Sequence, residues 1–160
     1  MKSMRRVFAS LAVAALLPVA AAADPTAGGC SPTMVHYVAS GGGTFQTVSS
    51  SYVDLPQARV IFHQGGSKPS CVLVRFSADP KAGNFTNMGF RVLLDGAQAG
   101  LPFEAQISDG IDVAPSARRF TFIFANVAPG AHSVQMQHQA TSPNSAAAMN
   151  GHNTIVWHAR

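Results

Sequence analysis

Charge is scarce in this chain. Only 11% of its 160 residues are Asp, Glu, Lys or Arg, and Glu104 is the sole glutamate. Low charge combined with 47% apolar content excludes a self-repelling disordered chain and favours a compact domain. The two cysteines form no Cys-x-x-Cys pair, which removes a dithiol redox centre. No Gly-x-Ser-x-Gly elbow is present, and Gly65-Gly66-Ser67 reads as a turn. No glycine-rich phosphate loop leads into a helix, so no nucleotide cofactor is implied. Asp109 and Asp112 flank a Gly-Ile step and read as turn chemistry. They do not supply the paired carboxylates of a glycosidase or the six or more oxygens of a calcium site. A convincing helical stripe is missing throughout. These absences describe a protein without catalytic machinery, and a non-enzymatic role is the expectation.

What is present begins at the N-terminus. Lys2, Arg5 and Arg6 precede an apolar run from Val7 to Val19, and Ala21-Ala22-Ala23 supplies a small-residue exit. This is the pattern of a signal peptide over residues 1–23, with a mature domain over 24–160. The run is too short for a permanent anchor and contains Pro18, so no transmembrane segment is expected after cleavage. A periplasmic or secreted location follows, with the general and twin-arginine routes both open. The leader also explains the basic composition. Three of the eleven Lys and Arg lie in it and all seven acidic residues lie after it, leaving eight against seven, a net of +1. Nucleic acid is therefore not an expected partner.

Outside the cytoplasm, an even cysteine pair reads as a disulfide. Cys30–Cys71 would close a loop of roughly forty residues, worth about 4 kcal/mol on the loop-entropy account. It would tie the N-terminal segment onto the strand that Cys71 opens.

Period-2 alternation dominates the mature chain. Arg119-Phe120-Thr121-Phe122-Ile123-Phe124 sets three phenylalanines on one face, Pro129-Gly130 makes a turn, and Val134 and Met136 alternate with Gln135, Gln137 and Gln139. These two runs read as a β-hairpin. Phe90-Arg91-Val92-Leu93-Leu94 ends in Asp95-Gly96, a strong hairpin turn. Val60 with Phe62, and Val72, Val74 and Phe76, repeat the pattern. Short strands continue at Met34 to Ala39 and Thr154 to His158. Together these predict an all-β fold, a single antiparallel β-sandwich of about eight strands. Its expected core is Val60, Phe62, Val72, Val74, Phe76, Phe90, Val92, Phe120, Phe122, Phe124, Val134 and Met136. Asp79 to Asn87, Leu101 to Ser116 and Thr141 to Asn153 are the least regular stretches and the expected places for a site.

The run from Thr44 to Ala78, followed by FRVLLDG and FTFIFANVAPGAHSVQMQ, resembles small exported bacterial domains. These are similar to jelly-roll sandwiches of the C1q and TNF-like type. The resemblance implies a jelly-roll-like fold and self-association into a homo-oligomer. It transfers no active-site residue.

Methionine and histidine pair three times, as Met34 with His36, Met136 with His138, and Met149 with His152. Thioether with imidazole suits Cu(I), so Met34, His36, Met136, His138 and His152 are the candidate metal ligands. Against this stands packing, because Met136 continues the row begun by Val134, and no resident cofactor is expected. Tyr37, Tyr52 and Trp157 are candidate sugar platforms, although strand parity favours Trp157 as core. The primary expectation is an exported binding or structural module docking on an unidentified cell-surface or extracellular component. A periplasmic copper-binding protein and a glycan-binding module are the alternatives.

Overall fold

In the computed structural model, residues 34–39, 43–80, 88–107, 117–141 and 147–160 are described. They contain ten β-strands and no helix. The strands are β1 (Met34–Ala39), β2 (Phe45–Thr47), β3 (Val53–Gln64), β4 (Ser70–Pro80), β5 (Met88–Leu94), β6 (Gln98–Ala99), β7 (Ala105–Ile107), β8 (Arg118–Val127), β9 (Gly130–Ala140) and β10 (Ala147–His158). Every ladder is antiparallel.

One sheet runs β1-β10-β4-β8, with β2 also on β10. The other runs β3-β9-β5-β6, with β7 also on β5. Strands β1 and β2 occupy successive stretches of one side of β10, at Asn153 to His158 and at Ala147 to Met149. Likewise β6 and β7 occupy successive stretches of one side of β5. The ten strands thus fill eight positions, and the order in each sheet is that of a jelly roll.

Alternation builds the core. On β4, Val72, Val74, Phe76 and Ala78 are buried, and on β9, Val134, Met136, His138 and Ala140. The two inner faces meet through Phe76 and Phe90, whose ring centroids lie 5.0 Å apart. All of the expected core residues are buried except Phe120, which is partly buried and packs against the cluster.

The expected hairpin of β8 and β9 is not one. β8 pairs with β4 in the first sheet, whereas β9 pairs with β3 and β5 in the second. The Pro129-Gly130 connection, with Gly130 at φ 137°, therefore arches from one sheet to the other. Alternation tells which side chains are buried but not which strand lies alongside. Asp95-Gly96 does close a true hairpin. Both residues have positive φ (50° and 75°), as a type I′ turn requires, and Ala97 N–H donates to the Leu94 carbonyl at 3.2 Å.

The connections divide between two ends. Short turns at 65–69, 95–97 and 128–129 lie at one end with the C-terminus, where Gly65 N–H donates to the Ala159 carbonyl at 3.1 Å. The connections at 81–87, 108–116 and 142–146 join strands that meet at the other end; these and residues 40–42, between β1 and β2, lie outside the described residues, as do Cys30, Asp109 and Asp112. Part of each expected irregular stretch is strand. β4 runs to Pro80, β7 lies within 101–116, and β10 begins at Ala147.

Candidate functional site

The long-connection end has an unusual interior. On the inner face of β9, Met136 is followed by His138, which is only 3% exposed. Phe90 of β5 lies opposite His138, and buried Met88 lies opposite Ala140, one pair further along. From the facing sheet, β10 contributes Met149, His152 and Thr154, all buried. A spacing of three would put Met149 and His152 on opposite faces of a regular strand. The register shift between Met149 and Gly151 turns both inward. β3 bulges between Asp54 and Arg59, with Gln57 at φ 60°, and buries both Leu55 and Ala58.

That bulge fixes one imidazole. His152 Nε2 lies 3.0 Å from the Pro56 carbonyl oxygen. A carbonyl only accepts, so Nε2 carries the proton and Nδ1 the lone pair. The His152 ring packs on Phe45 and Phe76 at 4.6 and 5.9 Å between centroids. His138 is held differently. Its Nδ1 is buried with no hydrogen-bond partner among the described residues. Burial, and secondarily the nearby His152, push its pKa down to about 4, so at neutral pH it is an uncharged imidazole. Burial also lowers His152, against the hydrogen bond to Pro56.

Of the five predicted ligands, the structure gathers Met136, His138 and His152 inside this end. Met34 and His36 pair with His158 and Val156, and their side chains lie outside the described residues. His158 is six positions along β10 from His152, about 20 Å of strand, so Met34 belongs to the opposite end. Met88 was not among the sequence candidates, since nothing in its neighbourhood pairs it with a histidine. Among the described residues, no group of three or more His, Cys, Asp or Glu side chains is placed to hold a metal ion.

The outer face of the β3-β9-β5 sheet carries a second feature, a groove of about 480 Å³ lined chiefly by Asp54, Arg59, Asp95, Ser133, Gln135 and Gln137. Its side chains hold one another in place. Gln137 Nε2 donates to Asp54 Oδ1 at 2.7 Å, and Arg91 Nε donates to Gln137 Oε1 at 2.7 Å. The Arg91 guanidinium lies 4.4 Å over the Tyr52 ring, and Tyr52 O–H donates to Glu104 at 2.9 Å. Burial, reinforced by Glu104, drives the Tyr52 hydroxyl far above its ordinary pKa. At the groove's turn end, Asp95 accepts from Ser133 N–H at 2.8 Å and pairs with His132 Nδ1 at 2.7 Å. Arg59 forms no ion pair among the described residues.

The three aromatic candidates separate. Tyr52 is half-buried with one ring face covered by Arg91. Trp157 is partly exposed on the outer face of the other sheet, not in the core, with Arg75 stacked at 4.7 Å. Parity grouped it correctly with Ile155, but Val156 is the buried partner. Tyr37 is paired with Ile155 in register, and its side chain is not described.

No protein-family model matches this chain, and no curated protein matches it. Among solved structures, it is similar to a family GH115 4-O-methyl-α-glucuronidase with specificity for decorated arabinogalactans, at a TM-score of 0.42 and 10% identity. The likeness covers 87% of this chain and 19% of that one. At that level it carries no functional argument.

Proposed function

We propose that this chain is an exported, non-enzymatic binding module whose outer groove takes a polyhydroxylated ligand of carbohydrate type at the cell surface or outside the cell. The carrying observation is the groove on the outer face of the β3-β9-β5 sheet, in which carboxylates, amides, a hydroxyl and the Arg59 guanidinium converge beside Leu93. Its volume falls in the range of small-molecule sites, and its lining suits alternating hydroxyl donors and acceptors. Hydrogen bonds among Asp54, Gln137 and Arg91 set the side chains beforehand, which lowers the ordering cost of binding. Recognition then rests on hydrogen bonds and not on ring stacking, because Arg91 covers Tyr52.

Binding without hydrolysis fits the electrostatics. A glycosidase keeps one carboxyl protonated near neutral pH. Burial alone would raise Asp95, but hydrogen bonds from His132 and Ser133 outweigh it and hold this carboxyl below its usual range. The module would be delivered by the leader at residues 1–23 to the periplasm or beyond. It would be stapled by Cys30–Cys71, a reading supported by the lack of any free cysteine among the described residues.

Affinity electrophoresis against a panel of soluble neutral and acidic polysaccharides tests the proposal. Retardation by at least one member is expected, weakened tenfold or more by Arg59→Ala and by Gln137→Ala. Unretarded migration through the whole panel would sink it.

A further inference from the structure

Charge is unevenly committed across the outer groove. Gln137 and Gln135 of β9 both line it, two positions and roughly 7 Å apart along the strand. Asp54 of β3 lies opposite Gln137, and Arg59 lies opposite Gln135. A spacing of five would put Asp54 and Arg59 on opposite faces of a regular strand. The bulge between them, which turns Leu55 and Ala58 inward, brings acid and cation into the same groove. Side by side, they still form no ion pair.

The acids have other partners. Asp95 pairs with His132 at 2.7 Å and accepts from Ser133 N–H at 2.8 Å. Asp54 Oδ1 accepts from Gln137 Nε2, and Gln137 Oε1 accepts from Arg91 Nε, both at 2.7 Å. The Gln137 amide thus links one carboxylate to a second guanidinium, which also covers Tyr52. Gln135 donates from Nε2 to the Leu55 and Met136 carbonyls at 3.0 and 2.8 Å. Both of its amide hydrogens are then in use, and what it offers a ligand is Oε1, an acceptor. Acceptors of this kind serve the hydroxyl hydrogens of a sugar. Arg59 is different, an exposed guanidinium with five donors and no ion pair among the described residues.

A carboxylate fits that fork in shape and charge, and takes two parallel N–H···O bonds from it. Asp54 and Asp95 stand one level to either side along β9, opposite Gln137 and beside Ser133. They repel an anion of high charge density more than an isolated carboxylate. We propose that the groove selects acidic saccharides, in which the recognised unit carries one carboxylate as a uronic acid does, and that Arg59 reads that group. This specificity rests on the carbohydrate reading of the groove and adds to it the charge of the ligand.

Affinity electrophoresis is run with polygalacturonate, alginate and hyaluronan, each beside its own carboxyl-reduced neutral derivative, and with neutral polysaccharides. Retardation by at least one acidic polymer is expected, weakened about tenfold or more by carboxyl reduction, the scale of hydrogen bonds to a charged group. Arg59→Gln should reproduce that loss on the acidic polymer without lowering the Tm, since the side chain is exposed. Arg119→Gln removes a cation from the other sheet and should leave retardation unchanged. Equal retardation by an acidic polymer and its reduced derivative, or by neutral polymers alone, overturns the acidic specificity and leaves the carbohydrate reading standing. Undiminished retardation of Arg59→Gln also overturns it, as does an equal loss in Arg119→Gln, which would mark general attraction of polyanions. Unretarded migration with every polymer overturns both.

Discussion

The two ends of the sandwich differ in how they partner their imidazoles. At the tight-turn end, His132 is bonded to Asp95 and to the Ala128 carbonyl at 2.7 and 2.8 Å. His158 Nδ1 meets the Ala159 carbonyl at 2.8 Å, and Gln64 Oε1 accepts from Ala159 N–H at 3.1 Å. Among the described residues, Gln64 Nε2 is left over there. Phe62 lies between the two histidines, 5.7 and 5.1 Å from their rings. At the far end, His138 lies opposite Phe90, and its Nδ1 has no hydrogen-bond partner among the described residues. Short turns bring free carbonyls and amides close to the core, and the polar groups beside them are satisfied by backbone. At the far end the β3 bulge supplies a backbone carbonyl to His152, while among the described residues none partners His138 Nδ1.

The largest expected effect breaks the far end through its packing. Phe76→Ala removes the ring that touches both Phe90 and His152, and should cost about 3–5 kcal/mol, read from urea denaturation. An effect below about 1 kcal/mol would mean that this end is not part of the cooperative core.

A middle-sized effect belongs to the turn end. Asp95→Ala loses two hydrogen bonds and forces alanine into a positive φ, for an expected loss of about 2 kcal/mol. Asp95→Asn keeps the backbone conformation and an acceptor, and should cost less than about 1 kcal/mol. Equal losses in the two variants would show that the turn conformation contributes nothing.

The ion pair also has a pH signature. Burial alone would lower the His132 pKa, but Asp95 and the Ala128 carbonyl raise it above the ordinary imidazole value. Its contribution is therefore complete below about pH 6.5 and fades as pH rises through the raised pKa. Asp95 is lowered, so its contribution is complete above about pH 4 and fades as pH falls through the lowered value. The gap in stability between wild type and Asp95→Asn should peak between those limits, at about 0.2–1 kcal/mol for so exposed a pair. A pH-independent gap would show that His132 does not share its proton's charge with Asp95.

The smallest expected effect is the sharpest contrast. His138→Leu should leave stability within about 0.5 kcal/mol or raise it, because deleting an unanswered buried polar group incurs no loss of a hydrogen bond. A loss above about 2 kcal/mol would mean that His138 has a partner in solution.

Faces were legible in the sequence because burial on one side of a strand imposes alternation. Val72, Val74 and Phe76 announce themselves in this way. Neighbours were not, since β8 and β9 show the same pattern whether they pair or lie in different sheets. Interruptions of the pattern hid most of the candidate site. The β3 bulge conceals Leu55 and Ala58 behind Pro56 and Gln57, and the shift after Met149 puts it on the same inner face as His152, which their spacing of three in a regular strand would not. His138 was legible as a candidate from its spacing to Met136. That its nitrogen lacks a partner depends on Phe90 and Met88 arriving from β5, a contact between segments distant in the chain. The groove was illegible for the same reason, as it assembles residues from β3, β9 and the β5–β6 turn.

The broken edges of the sheets have a consequence for how copies of the domain can meet. β1 and β2 divide one edge between them, and β6 with β7 divide another. β3 presents Pro56 and a bulge along a third. On the fourth, Leu101 pairs with Ile123 of β8 through bonds of 2.9 and 2.8 Å, and Arg118 and Arg119 stand at the start of that strand. Among the described residues, a second copy approaching edge-on meets no long uninterrupted row of free amides and carbonyls to extend. Strand-by-strand polymerisation is thereby discouraged, and copies of this domain that associate have to meet through their faces or their ends.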